Sequence, residues 1–197
     1  VISLEIFLKG VLTILMRTLF EAIENKKSNN YEMVLKINEQ TINLKFDNGA
    51  AYTVISASVL DENFSDERAE YFEKILLEKA QQYEQDNELK APFEKTFVSA
   101  SGNQIKGYLV DSPNVTIGNY KIEHFYYYFI PQNKRPIALL GNDFLRFCEY
   151  THKIEGNIYI TKIDMVAYKS YYENAIDIDE ISALIDEMAL NEFDIER

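Results

Sequence analysis

The chain has few of the residues that build disulfide frameworks, metal centres and low-complexity segments. A single cysteine, Cys148, excludes an internal disulfide and any multi-cysteine zinc or iron–sulfur site. Two histidines, His124 and His152, argue against a histidine-rich metal centre. Seven glycines and four prolines in 197 residues exclude collagen-like and low-complexity classes. We therefore expect a globular chain without a metal site.

Basic residues are also scarce, with 20 lysines and arginines against 32 acids and a net charge of −12. Such a chain repels phosphate backbones, so we expect no nucleic-acid partner. The acidity is concentrated at one end, because residues 164–197 hold ten acids and two bases, a net −8. The acidic residues of this tail are most simply the solvated face of a helix.

The first twenty residues are apolar enough to raise the question of a membrane segment. Polar residues recur there every four positions, which predicts an amphipathic helix over Val1–Phe20 followed by a polar linker at Asn25–Asn30. Three charges, at Glu5, Lys9 and Arg17, argue against a spanning helix. We expect no membrane partner and a cytoplasmic protein, with peripheral membrane association through this helix as the alternative.

The remaining pattern predicts a mainly β domain with helical additions. Residues 1–30 form the N-terminal helix and linker, residues 31–163 the β domain, and residues 164–197 an acidic helical tail. A helical period over residues 65–87 marks an insertion within the β domain. Strand-like runs surround it, and we place them at Tyr31–Asn38, Thr41–Phe46, Ala51–Ser58, Thr96–Ala100, Ile105–Val110, Asn114–Ile117, Ile122–Ile130, Ile137–Leu140 and a final hairpin over Ile154–Ile163.

The most informative stretch is Leu44-Lys45-Phe46-Asp47-Asn48-Gly49-Ala50-Ala51-Tyr52-Thr53-Val54-Ile55-Ser56. An aspartate ends an apolar strand, a glycine follows two residues later, and a second apolar strand begins. On its own, this pattern is also that of a hairpin whose Asn48-Gly49 pair occupies a type I′ turn.

A second stretch reads Pro136-Ile137-Ala138-Leu139-Leu140-Gly141-Asn142-Asp143-Phe144-Leu145, an apolar strand that enters a glycine and then a short helix. Together, the two stretches resemble the small bacterial branch of the retropepsin-like aspartic proteases. In that family an Asp-Thr/Ser-Gly-Ala motif is followed later by Leu-Leu-Gly-x-Asp-Phe-Leu. The resemblance covers about residues 31–163 and implies a mainly β acid-protease barrel. It places the structural turn near the site at Leu140, Gly141, Asn142 and Asp143, and the substrate-binding flap at Ser99, Ala100, Ser101, Gly102 and Asn103.

The resemblance implies an aspartic endopeptidase with Asp47 as the catalytic residue in a loop with Asn48, Gly49 and Ala50. Two carboxylates about 3 Å apart cannot both ionise, so they share a proton, activate a water and support the substrate carbonyl. Only Gly49 has an aspartate two residues before it, so the chain holds one such motif and the pair requires a homodimer. No cofactor is needed, and the substrate is a protein or peptide.

Asn48 departs from the family's threonine or serine, whose hydroxyl locks the two active-site loops together. This departure keeps open a non-catalytic peptide-binding or homodimerisation module of the same fold, and the N-terminal helix keeps open a membrane-associated regulatory protease. We interpret Asp143 as a structural cap of the short helix rather than a second catalytic carboxylate.

Overall fold

The computed structural model describes residues 18–61, 64–83, 93–98, 102–131, 135–154, 157–172 and 175–195. Its elements are β1 (Phe20–Asn25), β2 (Asn30–Ile37), β3 (Gln40–Phe46), β4 (Val54–Ser56), α1 (Ala57–Leu60), α2 (Asp66–Tyr83), β5 (Glu94–Val98), β6 (Gln104–Ile117), β7 (Tyr120–Ile130), β8 (Ala138–Leu140), α3 (Asn142–Leu145), β9 (Cys148–Ile154), β10 (Asn157–Ile163), α4 (Met165–Tyr171), β11 (Ile176–Asp177) and α5 (Ile178–Ile195).

Six strands close into a barrel in the order β2, β3, β8, β4, β7 and β6, with β6 returning to β2. The barrel is mixed, because β3 with β8 and β4 with β7 are parallel while the other neighbours are antiparallel. Alternating side chains fill its interior, as in β3, where Ile42, Leu44 and Phe46 are buried and Thr41 and Asn43 are exposed. The predicted hairpin over residues 31–46 is confirmed, although its turn lies at Asn38-Glu39, one residue earlier than predicted.

β1 corrects the prediction for residues 20–30. Phe20–Asn25 is a strand that pairs with β10 on one side and β2 on the other, rather than a helix end and a linker. The following residues form a tight turn in which the Asn29 amide donates to the Asn25 carbonyl oxygen, at 2.8 Å. The sequence shows the alternation of buried Phe20 and Ala22 with Glu21, but only the pairing with β10 gives it a partner. The rest of the helix predicted over Val1–Phe20, residues 1–17, lies outside the described residues.

The inserted helix and the tail pack against each other on the barrel. α2 buries Ala69, Phe72, Ile75 and Leu76, the helical spacing predicted from the sequence. From the tail, β11 adds a parallel strand to β6, and α5 lies beside α2. Two acids of the tail, both exposed, pair with basic residues of α2: Asp186 with Arg68 at 2.7 Å, and Glu180 with Lys79. Within the described part of the chain, none of the helices combines the length and apolar character needed to cross a bilayer.

Candidate active site

Asp47 lies immediately after β3, at the end of the barrel where β8 also ends. Its backbone amide donates to the Leu140 carbonyl oxygen at 3.0 Å, which continues the parallel ladder between the two strands. The Oδ1 atom of its carboxylate accepts from the amides of Gly49 and Ala50, each at 3.2 Å. The side chain keeps 28% of its surface exposed. The carboxylate is therefore held in one orientation while remaining accessible from outside the protomer.

The turn after Asp47 is not the hairpin that the Asn-Gly pair also allowed. A type I′ turn requires positive φ at both central residues, and neither Asn48 nor Gly49 has it. β3 and β4 are moreover not paired with each other, because β8 lies between them. Instead, the Ala50 amide donates to the Asp47 carbonyl oxygen at 3.0 Å, which closes a turn that leaves Asn48 and Gly49 exposed at the surface.

The loop from Asp47 to Thr53 is joined to the loop from Leu140 to Asp143 by backbone hydrogen bonds. The amides of Asn142 and Asp143 donate to the carbonyl oxygens of Ala50 and Ala51, at 2.8 and 3.1 Å. The Gly141 amide donates to Thr53 Oγ1 at 3.1 Å. A Cβ at Gly141 would lie 2.2 Å from the carbonyl carbon of Tyr52, so only glycine lets the two loops approach this closely.

Asp143 is buried and hydrogen-bonded, but it is not the helix cap that the sequence predicted. The N-cap of α3 is Gly141, and Asp143 is the second residue of the helix. Its Oδ1 atom accepts from the amide and the hydroxyl of Thr53, both at 2.7 Å, and from the Phe144 amide at 2.9 Å. The residue is 4% exposed. Burial raises its pKa, and the hydrogen bonds from Thr53 oppose that rise without cancelling it. Asp143 therefore fastens α3 to the Asp47 loop.

Lys45 is a site residue that the sequence analysis did not single out. Its Nζ atom lies 2.9 Å from Asp47 Oδ2, and its side chain is 38% exposed. Burial acts to raise the pKa of Asp47, but Lys45 and the amides of Gly49 and Ala50 outweigh it, so the pKa lies below its ordinary value. The signal was present in the sequence, because residues two apart in a strand share a face.

The hairpin that the sequence predicts to be the flap is described on both sides of its tip. β5 and β6 form a hairpin with Val98 opposite Gln104. Gly102 has φ of +81° and open space where a Cβ would stand, and Asn103 follows it. The predicted flap residues Ser99, Ala100 and Ser101 lie outside the described residues.

An aromatic cluster joins this hairpin to the Asp47 loop. Tyr52 of the loop packs edge-on against Phe97 of β5 and Tyr128 of β7, with ring centroids 6.0 and 5.2 Å apart. Phe97 also contacts Tyr128, and Lys95 Nζ lies 4.1 Å from the centre of the Tyr52 ring. The flap hairpin thus lies beside the Asp47 loop. Tyr52 and Phe97 were not predicted as part of the site, since aromatic residues alternating in strands are typical of any core.

Metal chemistry has no ready set of ligands in the part of the chain that is described. No three of its histidine, cysteine, aspartate or glutamate side chains lie close enough together to hold an ion. His124 of β7 contacts Asp111 of β6 at 2.6 Å, and the side chain of His152 lies outside the described residues.

The geometry can be compared with known proteins. No family model matches the chain, and no curated protein matches it. Among solved structures it is similar to the crystal structure of a retropepsin-like aspartic protease from Rickettsia conorii, with 15% sequence identity and a TM-score of 0.39, over 72% of this chain and 88% of that chain.

The mainly β class predicted from the two motifs is confirmed by a closed mixed barrel with helices around it. At 15% identity and a TM-score of 0.39, this similarity supports no conclusion about the activity of the chain. What the Asp47 loop does chemically has to be inferred from its own geometry.

Proposed function

We propose that the protein is an aspartic endopeptidase that acts as a homodimer, with one Asp47 from each protomer. The observation that carries the proposal is the Asp47 carboxylate itself, fixed by two backbone amides and 28% exposed at the end of a barrel strand. A single Asp-x-Gly motif is present in the chain, so the second carboxylate has to come from a second copy.

In such a pair the two carboxylates cannot both be ionised, so one proton is shared between them. The charged carboxylate takes a proton from a water molecule as it attacks the peptide carbonyl carbon, and the protonated carboxyl donates to the carbonyl oxygen. The carboxyl group that took the proton from water then donates it to the leaving nitrogen. The amides of Gly49 and Ala50 hold the carboxylate during these transfers. The substrate would lie extended beside the β5–β6 hairpin and pair with it as an added strand.

The decisive experiment is the substitution Asp47→Asn, which keeps the side-chain volume and removes the shared proton. Hydrolysis of an unfolded polypeptide should fall by at least about a thousandfold. Asp186→Asn is the matched control, because Asp186 is an exposed aspartate of α5 that pairs with Arg68 far along the chain from the site. Full proteolysis by the Asp47→Asn protein would overturn the proposal.

Dimer dependence is a separate test of the same proposal. Specific activity should fall when the protein is diluted through its dimer dissociation constant, measured by sedimentation. Constant specific activity in a preparation shown to be monomeric would contradict a pair built from two copies of Asp47.

A non-catalytic peptide-binding or homodimerisation module is the second candidate, and one contact favours it. Lys45 holds Asp47 in its charged form, which opposes proton sharing. Under this candidate the protein dimerises or binds extended peptides, and Asp47→Asn changes neither property more than the Asp186→Asn control does.

A further inference from the structure

The ion pair between Lys45 and Asp47 places an ammonium group beside the proposed catalytic carboxylate. Lys45 lies in β3 and Asp47 directly follows the strand, Nζ lies 2.9 Å from Oδ2, and both side chains are partly exposed. An exposed ion pair of this kind contributes little to stability, typically 0 to about 1 kcal/mol. Its position, rather than its strength, makes it informative.

Lys45 has another acidic neighbour and does not pair with it. Glu32 of β2 lies directly opposite Lys45 in the antiparallel ladder. The Glu32 carboxylate accepts instead from Asn25 Nδ2 at 2.9 Å and from Ser28 Oγ at 3.3 Å. The ammonium is therefore directed towards Asp47, at the end of the strand where a substrate would lie.

We propose that Lys45 is a specificity-determining residue that selects peptides with an acidic side chain next to the scissile bond. This inference rests on the proposed endopeptidase function. A glutamate side chain that enters beside Asp47 meets an ammonium already placed there. Lys45 also lines an open groove with Asn43, Leu139 and Glu32, and Asp47 is not among the residues that line it.

The contact acts on the chemistry as well as on binding. An ammonium within a few ångströms favours the ionised carboxylate, whereas the catalytic pair needs one proton between its two members. When the substrate supplies a carboxylate, Lys45 gains a second partner and its hold on Asp47 weakens. An acidic substrate therefore binds to Lys45 and also allows the two carboxylates to share a proton. With a neutral substrate, Lys45 stays paired with Asp47 and opposes this sharing.

The arrangement of nearby charge agrees with an acidic substrate. Lys95 brings a second ammonium to the Asp47 loop, against the ring of Tyr52. The neighbouring Glu94 is paired with Lys106 at 2.9 Å, so its charge is neutralised locally. Lys45 of β3 and Lys95 of β5 therefore bring positive charge to the Asp47 loop from two separate strands.

The test compares peptides that differ only at the residue next to the cleaved bond, with glutamate, glutamine or leucine there. For the wild type, kcat/KM for the glutamate peptide should exceed that for the glutamine peptide by about tenfold. Lys45→Met, which keeps the length and removes the charge, should bring this ratio close to one and increase turnover of the leucine peptide. Lys45→Arg should retain the preference. Lys36→Met, on β2, is the matched control and should leave the ratio unchanged.

A second readout separates this role from a purely structural one. With the leucine peptide, the acidic limb of the pH–rate profile should lie at higher pH for Lys45→Met than for the wild type, because the pair regains its proton more readily. Cleavage of all three peptides without preference, or a preference that survives Lys45→Met, overturns the inference and leaves the endopeptidase intact. Absence of cleavage of every peptide by every variant overturns the endopeptidase and the inference together.

Discussion

Asp47 and Asp143 follow two parallel strands of one barrel, yet their surroundings differ in almost every respect. Asp47 is partly exposed, accepts from the amides of its own turn and pairs with Lys45. Asp143 is buried and accepts from Thr53 of the other loop. Surroundings lower the pKa of the first and raise that of the second. The same side chain is therefore available for chemistry in one loop and committed to structure in the other.

The largest effect is expected from a substitution that separates the Asp47 loop from the loop that contains Asp143. Gly141→Ala places a methyl group 2.2 Å from the carbonyl carbon of Tyr52, which is backbone and cannot rotate away. We expect a loss of at least about 4 kcal/mol of unfolding free energy. Chemical denaturation monitored by circular dichroism measures this. Gly102→Ala is the glycine control, since its Cβ would enter open space, and its cost is the smaller backbone strain of a positive φ. Equal stability of Gly141→Ala and wild type would show that the loops can separate.

Removing the carboxylate of Asp143 tests its structural role directly. Asp143→Ala leaves the amide and hydroxyl of Thr53 and the Phe144 amide without their acceptor. The expected loss is about 3 kcal/mol of unfolding free energy, since each buried unsatisfied polar group costs about 1–3 kcal/mol. Asp143→Asn, which keeps one carbonyl oxygen, should lose less. Loss of proteolysis in Asp143→Asn at full stability would assign Asp143 to the chemistry instead.

A substitution of Asn48, in the exposed Asp47 loop, is expected to have a smaller effect. In the family that the sequence resembles, a threonine or serine hydroxyl at this position locks the two active-site loops of the dimer together. The amide of Asn48 is larger and must find partners for two donors and one acceptor. We expect Asn48→Thr to tighten the dimer about fivefold, which corresponds to about 1 kcal/mol. Sedimentation measures the dissociation constant, and peptide turnover at low protein concentration should rise with it. A weaker dimer in Asn48→Thr would mean that the amide itself makes the contact.

The smallest effect expected is an opposite dependence of stability on pH for the two aspartates. Because the pKa of Asp47 is lowered by folding, its contribution is present above the unfolded pKa and disappears as pH falls through the folded one. The stability difference between wild type and Asp47→Asn should therefore shrink below pH of about 4 and stay within about 1 kcal/mol at neutral pH, because the pair is partly exposed.

For Asp143 the sign reverses, because burial raises its folded pKa. In the window between the unfolded and the folded pKa, the folded state binds more protons, so stability falls as pH rises. Relative to Asp143→Asn, the wild type should be more stable in acid than at neutral pH. Denaturation at a series of pH values checks both differences. The same sign for both aspartates would contradict the assignment of their surroundings.

Much of the fold could be predicted because it follows from local periodicity. The period of two over residues 31–46 and the period of 3.6 along α2 depend only on which side chains face the core. The spacing of Asp47 and Gly49 likewise indicated the loop, because both residues lie in one short local pattern between two apolar strands. β1 was not predicted because its alternation covers only four residues. So short a pattern indicates a strand only once its pairing with β10 is known.

The strand that ends just before Asp47, the turn that contains Gly49 and the inserted helix could all be predicted from the sequence alone. Each of them depends on residues that are near one another in the chain. Tertiary structure decided which aspartate is buried, because Thr53 lies 90 residues from Asp143 and meets it only when β8 enters between β3 and β4. The tertiary structure also decided that Lys45 pairs with Asp47 rather than with Glu32. Asn25 and Ser28 donate hydrogen bonds to the Glu32 carboxylate, and the sequence alone does not show these contacts.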